Sequence, residues 1–415
     1  MSTSLAIDLE RLRRDLLELA RFGGSGRPAD GIDRPSFSDA DMAARRWFME
    51  QAAARGLETR LDGAGNAIAR WQTGSGAAIL IGSHLDSVPR GGLFDGALGV
   101  IAGLECVRAL QDHGLDLPCP VEVIGTSEEE GRFGGMLGAQ ALSGTLDRDW
   151  FYAARDDTGL ALTEAMRRQG LDPDRVFEAG RNPEAVKAFL ELHIEQGPVL
   201  EARGLPVGIV QGISGVFNWT VTLSGTANHS GTTPMDLRRD AFRGLAEFAC
   251  SIPRLIAEAG TDQSRLTIGK VELQPNFPHT VPGEAVFSLI GRDLDGGVMR
   301  ALAEACRASL DAAARHHGLD WQYQEQSWLE PMRCHPDIVA AFRDQARALG
   351  LDALEMPSGA GHDTQFMAEL TRAGMIFVPS VGGISHSPEE WTEWSDIEKG
   401  TNLLLHTLIH LARAG

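Results

Sequence analysis

Residues 82–99 read GSHLDSVPRGGLFDGALG, and the architecture can be worked outward from them. They follow an apolar run, Ala78-Ile79-Leu80-Ile81, whose glycine boundaries mark it as a buried strand, so His84 falls at a strand end. Asp86 lies two residues on, on the same side if the strand continues. There it can accept the second N–H of the imidazole, as metal-bound histidines usually require. The glycine-rich segment then bends back and presents Asp95. From Gly96 to His113 the apolar residues Leu98, Ile101, Leu104, Val107 and Leu110 recur at helical spacing. Asp95 is thereby expected at a strand-to-helix junction, where sites gather in α/β sheets. Taken alone, the stretch reads equally well as a glycine-rich turn with a structural aspartate and a capping histidine.

Upstream, Leu5, Leu9, Leu12, Leu16 and Leu19 alternate at spacings of four and three, an amphipathic helix over 3–21. A second helix is expected from a Ser38 cap to Gly56, and a strand at 66–71. Downstream, 120–125 reads as another buried strand, and 189–194 as one more, entered from a helix near 183–188. This alternation is α/β. From about 213 the predicted order becomes strand 217–224, helix 239–257, strand 264–273, strand 284–291, helix 297–317 and strand 320–327. That βαββαβ unit reads as an insertion, 213–328, between two parts of one catalytic domain, 1–212 and 329–415. The second part ends in a helix from Thr401 to Ala414.

Composition narrows the function. A chain of 415 residues suits two domains, and 43% hydrophobic with 23% charged residues is ordinary for a soluble globular protein. No apolar run approaches the roughly 18–20 residues that span a bilayer, and the first twenty residues carry both charges throughout, unlike a signal peptide. Five scattered cysteines without a Cys-x-x-Cys pair indicate neither a disulfide framework nor a thiolate zinc site, and point to a reducing cytoplasm. A formal charge of −19 with no basic block argues against nucleic acid as a partner, and nothing suggests a membrane.

Three further signals accumulate after Asp95. Ser127-Glu128-Glu129-Glu130-Gly131 follows the 120–125 strand, and adjacent carboxylates at a buried strand end repel unless cations or protons relieve them. His193 lies in an alternating strand, and His386 in a loop, Gly382-Gly383-Ile384-Ser385-His386-Ser387-Pro388, after the apolar run 375–378. Each is commonplace alone. Together they offer carboxylates and three histidines at predicted strand ends, which is what a two-metal hydrolytic site needs.

Through GSHLDSVPRGGLFDGALG, TSEEEGRFGG, LELHIEQGPVLE, ANHSGTTPM, SGAGHDTQFMA and GISHSPEEW, the chain resembles the amidohydrolase branch of the M20 metallopeptidase-like enzymes over nearly its whole length. That branch includes N-carbamoyl-L-amino-acid hydrolases, allantoate amidohydrolases and β-ureidopropionases. The resemblance implies a mixed-sheet, aminopeptidase-like α/β catalytic domain with an inserted lid and dimerisation domain, and two divalent ions per subunit. Asp95 would bridge the ions, with His84 and His193 on one and Glu130 and His386 on the other. Glu129 would be the general base. His229 would reach a neighbouring subunit's active site and polarise the scissile carbonyl, while Gln196, His279, Arg292 and Gly359 match substrate-contacting positions. With three glutamates in a row, the pair could be 128/129 or 129/130, and its place directly before glycine favours 129/130. Two positions depart from the family pattern: His279 stands where relatives have asparagine, and Ile290 where an aspartate is usual.

The implied reaction is hydrolysis of a linear amide C–N bond in a ureido acid, first an N-carbamoyl-L-amino acid, with allantoate, ureidoglycolate or β-ureidopropionate as alternatives. An M20 exopeptidase or deacylase is a rival of another class, opposed by the HIEQGP segment. A non-catalytic binding protein is opposed by retention of all five ligands and Glu129. The donor types suit zinc, manganese, cobalt or nickel.

Overall fold

The computed structural model describes residues 5–25 and 30–414. Its described residues form two compact units, one running up to Gln211 and resuming at Cys334, the other Gly212–Arg333.

The first unit is built on a mixed sheet ordered Glu58–Leu61, Ala67–Trp71, Val121–Thr126, Ala78–His84, Val186–Ile194, Ala373–Val378, Val207–Ile213. The four strands Val121–Thr126, Ala78–His84, Val186–Ile194 and Ala373–Val378 run parallel to their neighbours among themselves. Every residue of Ala78–His84, Val121–Thr126 and Ala373–Val378 is buried. This is why they read as unbroken apolar runs: helices cover both faces, and no side need face water. Leu80, Ile124 and Phe189 point into a cluster with Ala139, Leu142, Met367 and Leu370 from the helices Leu137–Ser143 and Asp363–Leu370. Ile81 and Val123 point the other way, toward helix Ala97–Asp112, where a Cβ on Gly103 would lie 2.9 Å from Ile81. Glycine there lets the helix seat on the sheet.

The second unit carries one sheet, ordered Val271–Gln274, Glu284–Asp293, Gly215–Ser224, Asp320–Leu329, with Arg265–Thr267 also paired to Glu284–Asp293. Its two central strands, Gly215–Ser224 and Glu284–Asp293, alternate buried and half-exposed positions, and Phe217, Trp219, Val221 and Leu223 face helices Ala241–Ala259 and Gly296–His317. One covered face gives the period-two pattern that made these strands legible.

Several expectations are corrected. The strand expected over 264–273 is two strands, because Ser288 Oγ accepts the amides of Gly269 and Lys270 where the ladder shifts register. The helix near 183–188 is a single turn, Pro183–Ala185, and the strand starts at Val186. The strand expected over 284–291 continues to Asp293, so Arg292 lies within it. The N-terminal helix is Leu9–Leu19, started by the Asp8 side chain accepting from the amide of Arg11, and residues 3 and 4 of that expectation lie outside the described residues. The last helix begins at Trp394, whose ring packs edge-on against Phe94, rather than at Thr401. A short pairing of Asn228–His229 with Thr280–Val281 was not read from the sequence. Among the described residues no helix is long and apolar enough to cross a membrane.

Candidate active site

The four parallel strands deliver the site at their carboxyl ends. His84 is the last residue of its strand, His193 the last but one of its strand, Glu129 and Glu130 follow Val121–Thr126, and His386 follows Ala373–Val378. Asp95 arrives on the turn into helix Ala97–Asp112. Gly96 between them has φ +63°, and a Cβ on it would lie 2.4 Å from the His84 ring, so only glycine lets the turn pass.

Asp95 is the centre. Its Oδ1 lies 3.5 Å from His84 Nε2 and 3.1 Å from His193 Nε2. Its Oδ2 lies 3.2 Å from His386 Nε2 and accepts from Gln196 Nε2 at 2.9 Å. Glu129 Oε2 is 3.6 Å from His84 Nε2, and Glu130 Oε2 is 3.5 Å from His386 Nε2. Two donor groups result, His84–Asp95–His193 and Asp95–Glu130–His386, the ligand atoms of each within 4.8 Å of one another.

Backbone carbonyls set the tautomers. His84 Nδ1 donates to the carbonyl of Asp86 at 3.0 Å and His193 Nδ1 to that of Ile194 at 2.9 Å, so both Nε2 atoms turn toward Asp95 and are the ones that would offer lone pairs to a bound ion. The expected contact between the Asp86 carboxylate and His84 is therefore corrected. That carboxylate instead accepts Ser36 Oγ at 2.8 Å and the amides of Glu129 at 3.3 Å and Glu130 at 3.1 Å. The strand ends at His84, and the chain turns before Asp86 could project back.

The glutamate triplet separates in space. Glu128, at φ +56°, turns its carboxylate to the amides of Phe133 and Gly135, away from the histidines. Gln196 and His386 share this left-handed backbone, at φ +57° and +55°. Three non-glycine residues so placed around one site mark strain held by the surrounding structure.

Electrostatically the site is crowded with acid. Burial, reinforced by Glu130, Asp363 and Asp86 and opposed by His84, pushes Glu129 well above the ordinary carboxylate range. Burial and the charge of Asp95 push Glu130 up to about 7. Asp95 is held well below its ordinary value: burial opposes this, but hydrogen bonds from His193, His386 and His84 win. The Asp95 hydrogen bond, against burial, raises His386 to about 9. Glu130 Oε1 is buried without a hydrogen-bond partner. A carboxylate shared by three imidazoles, two on one oxygen and one on the other, with further acids beside it and an orphaned buried oxygen, fits a pair of divalent cations.

Of the remaining sequence candidates, Gln196 joins the cluster, also reaching His386 Nε2 at 3.2 Å. Gly359 is exposed just after the strand Ala353–Ser358, where the buried Ser358 hydroxyl meets His362 Nε2 at 2.9 Å. The second unit carries the others. His229 is exposed, and its Nδ1 accepts the amides of Gly231 and Thr232, which leaves its proton on Nε2. His279 is exposed one strand away, its carbonyl accepting the amide of Ser230. Arg292 is half-buried, and burial holds its guanidinium below its ordinary value.

Two residues escaped the sequence reading. His362 is buried with its ring 4.5 Å from that of His193. Glu390, 1% exposed, accepts the amides of Phe94 at 3.0 Å and Asp95 at 3.1 Å on one oxygen and Ser385 Oγ at 2.8 Å on the other. Both stood inside quoted motifs, SGAGHDT and HSPEEW, but isolated polar residues in loops carry no periodicity to single them out.

Comparison with known proteins places the chain among relatives. The profile of peptidase family M20/M25/M40 matches residues 80–410. The chain is 38% identical over 409 residues to an N-carbamoyl-L-amino acid amidohydrolase of Geobacillus stearothermophilus, covering 97% of this chain and 98% of the relative. It is 35% identical over 401 residues to an allantoate amidohydrolase of Escherichia coli (strain K12), covering 95% and 96%. A crystal structure of an amidase of the hydantoinase/carbamoylase family from Burkholderia multivorans superposes with a TM-score of 0.92 at 32% identity, covering 99% of this chain and all of that one.

Proposed function

Because the chain belongs to peptidase family M20/M25/M40 and is a metal-dependent amidohydrolase, we propose that it cleaves the linear amide C–N bond of an N-carbamoyl-L-amino acid, releasing the amino acid, ammonia and carbon dioxide. The observation that carries the two-ion reading is the division of the Asp95 carboxylate, Oδ1 toward His84 and His193, Oδ2 toward His386. His84, His193 and Asp95 would hold one ion, and Asp95, Glu130 and His386 the other, with zinc, manganese, cobalt or nickel suited to the donors. When bound, such a pair supplies Lewis acidity, lowering the pKa of water toward neutrality and drawing off negative charge from the scissile carbonyl.

The chain's own residues do the rest. Glu129, buried beside His84, takes a proton from the attacking water and gives it to the leaving nitrogen. Gln196, which donates to Asp95 Oδ2, would meet substrate, as would the loop of Gly359. His229 keeps its proton on Nε2 and can donate to the carbonyl oxygen as charge develops there. It would come from a second copy of the chain, the homodimer forming through the second unit. Met235, Leu237 and Phe277, each more than half exposed beside His229 and His279, support that contact. Arg292 and His279 would receive the substrate carboxylate. Five free cysteines, four of them buried, support a cytoplasmic setting.

Ammonia release from N-carbamoyl-L-amino acids, allantoate and ureidoglycolate, and amino-acid release from dipeptides, with and without prior chelation, test the proposal. The carbamoyl compounds should be turned over fastest, and only by enzyme that retains its ions. A higher kcat/KM for allantoate would move the substrate to that ureido acid, and cleavage of dipeptides alone would make the protein a peptidase.

A further inference from the structure

The second unit contains another cluster of nitrogen and oxygen donors that the hydrolytic reaction does not use. Glu247 lies on helix Ala241–Ala259, and His316 and His317 form the last turn of helix Gly296–His317, which packs beside it. His316 Nδ1 and His317 Nε2 each lie 2.8 Å from the same atom, Glu247 Oε2. Adjacent residues on a helix ordinarily point about 100° apart, yet here the two rings come to 4.6 Å, tilted by 30°, over one carboxylate. The left-handed Gly318 ends the helix immediately after them.

From this convergence we infer that Glu247, His316 and His317 form a binding site for one borderline transition-metal ion, zinc, nickel or copper rather than calcium or magnesium. Two imidazole nitrogens and one carboxylate oxygen are the ligand types such ions select, whereas calcium and magnesium call for oxygen throughout. The three atoms lie within 4.8 Å of one another, so the opening needed to admit an ion is a side-chain adjustment. The His317 side chain is 8% exposed and so is held in place, while those of His316 and Glu247 are 68% and 42% exposed and free to adjust. The exposed side leaves coordination positions for water. The C-terminal end of helix Gly296–His317 carries the negative pole of its dipole, which also favours a cation. An ion there would tie the two helices of this unit together, remote in sequence from every ligand of the hydrolytic site.

The test is zinc content. Holoenzyme with its catalytic ions in place is titrated with zinc, freed of excess, and its metal counted by mass spectrometry. The same is done for Glu247→Gln and His316→Ala, changes at exposed positions that leave the fold and ureido hydrolysis untouched. Wild type should hold one zinc more than either variant, and that zinc should resist a large excess of calcium while nickel displaces it. Equal zinc content in wild type and variants overturns the assignment, as does displacement by calcium. Because the readout is a difference in bound zinc, it stands whichever substrate the enzyme proves to hydrolyse.

Discussion

The main-chain carbonyl of Asp86, not its carboxylate, takes the Nδ1 proton of His84, at 3.0 Å. One residue thus serves two sides of the site: its carbonyl orients an imidazole, and its carboxylate holds the amides of Glu129 and Glu130. These roles separate under mutation. Asp86→Asn keeps the carbonyl, so ions bound through His84 should be retained. An amide in place of the carboxylate opposes one N–H with another and shifts the glutamates, so turnover should fall roughly 10- to 100-fold, the range for loss of an outer-shell partner. Metal content and kcat measured on the same preparation check this. Loss of the metal would mean that the carboxylate, after all, supports His84.

The three consecutive glutamates should behave differently. Glu129→Gln should keep both ions and lose about a hundredfold or more in turnover, the usual size of general acid–base catalysis. Glu130→Gln should lose one ion. Glu128→Gln should do neither, because that carboxylate serves the amides of Phe133 and Gly135 and the side chain of Ser36, and should show instead as a lower melting temperature. If Glu128→Gln abolished turnover while Glu129→Gln did not, the assignment would be one residue out.

The sequence was most readable where burial imposes a period. Ala78–His84 and Val121–Thr126 are buried on both faces, Gly215–Ser224 on one, and each shows it in its residues. The donors could be gathered because they cluster at the ends of such strands. What could not be read depends on hydrogen bonds that have no period. The turn that sends Glu128 away from its neighbours follows from a positive φ and two backbone amides. The break at Gly269 depends on the Ser288 hydroxyl, and the fit of Glu390 under Asp95 on two loops about 295 residues apart.

Glu390 should govern the second ion. Its buried carboxylate fixes the main chain of Asp95 and, through Ser385, the residue next to His386. Glu390→Gln keeps shape and acceptor but removes a charge close to the Asp95–Glu130–His386 group. That ion should bind roughly tenfold more weakly while the melting temperature stays near wild type. Glu390→Ala also strands two buried amides, at about 1–3 kcal/mol for each unsatisfied group, and should melt lower as well. Ion content at limiting metal, read beside thermal denaturation, separates the two effects. Undiminished affinity in both variants would leave Glu390 a purely structural residue.

The proposed supply of His229 by a second copy makes complementation the natural measurement. His229→Ala and Glu129→Gln proteins are each expected to be inactive. Mixed dimers contain one site with both defects and one with neither, so about half of the activity per mixed dimer should return. Purified heterodimers carrying a distinct tag on each subunit provide the assay. No recovery would place His229 in its own subunit's site or outside catalysis.

On the proposed function, Arg292 would decide whether the substrate must be an acid. It lies inside the strand Glu284–Asp293, half-buried, while its neighbour Asp293 points to the opposite side and accepts from Thr261 and Ser264. A guanidinium fork holds a carboxylate by two parallel bonds, which the single ammonium of lysine cannot reproduce. Arg292→Lys should accordingly raise KM for N-carbamoyl-amino acids by one to two orders of magnitude, about 1.5–3 kcal/mol for a charge-assisted contact, with metal content unchanged. The amide analogue of the substrate should suffer the same loss in wild type and little further loss in the variant, because the group that Arg292 reads is already missing. Steady-state kinetics of the four combinations form a double-mutant cycle. If wild type turns over the amide as well as the acid, Arg292 does not read a carboxylate, and the preference for carbamoyl-amino acids must be set elsewhere.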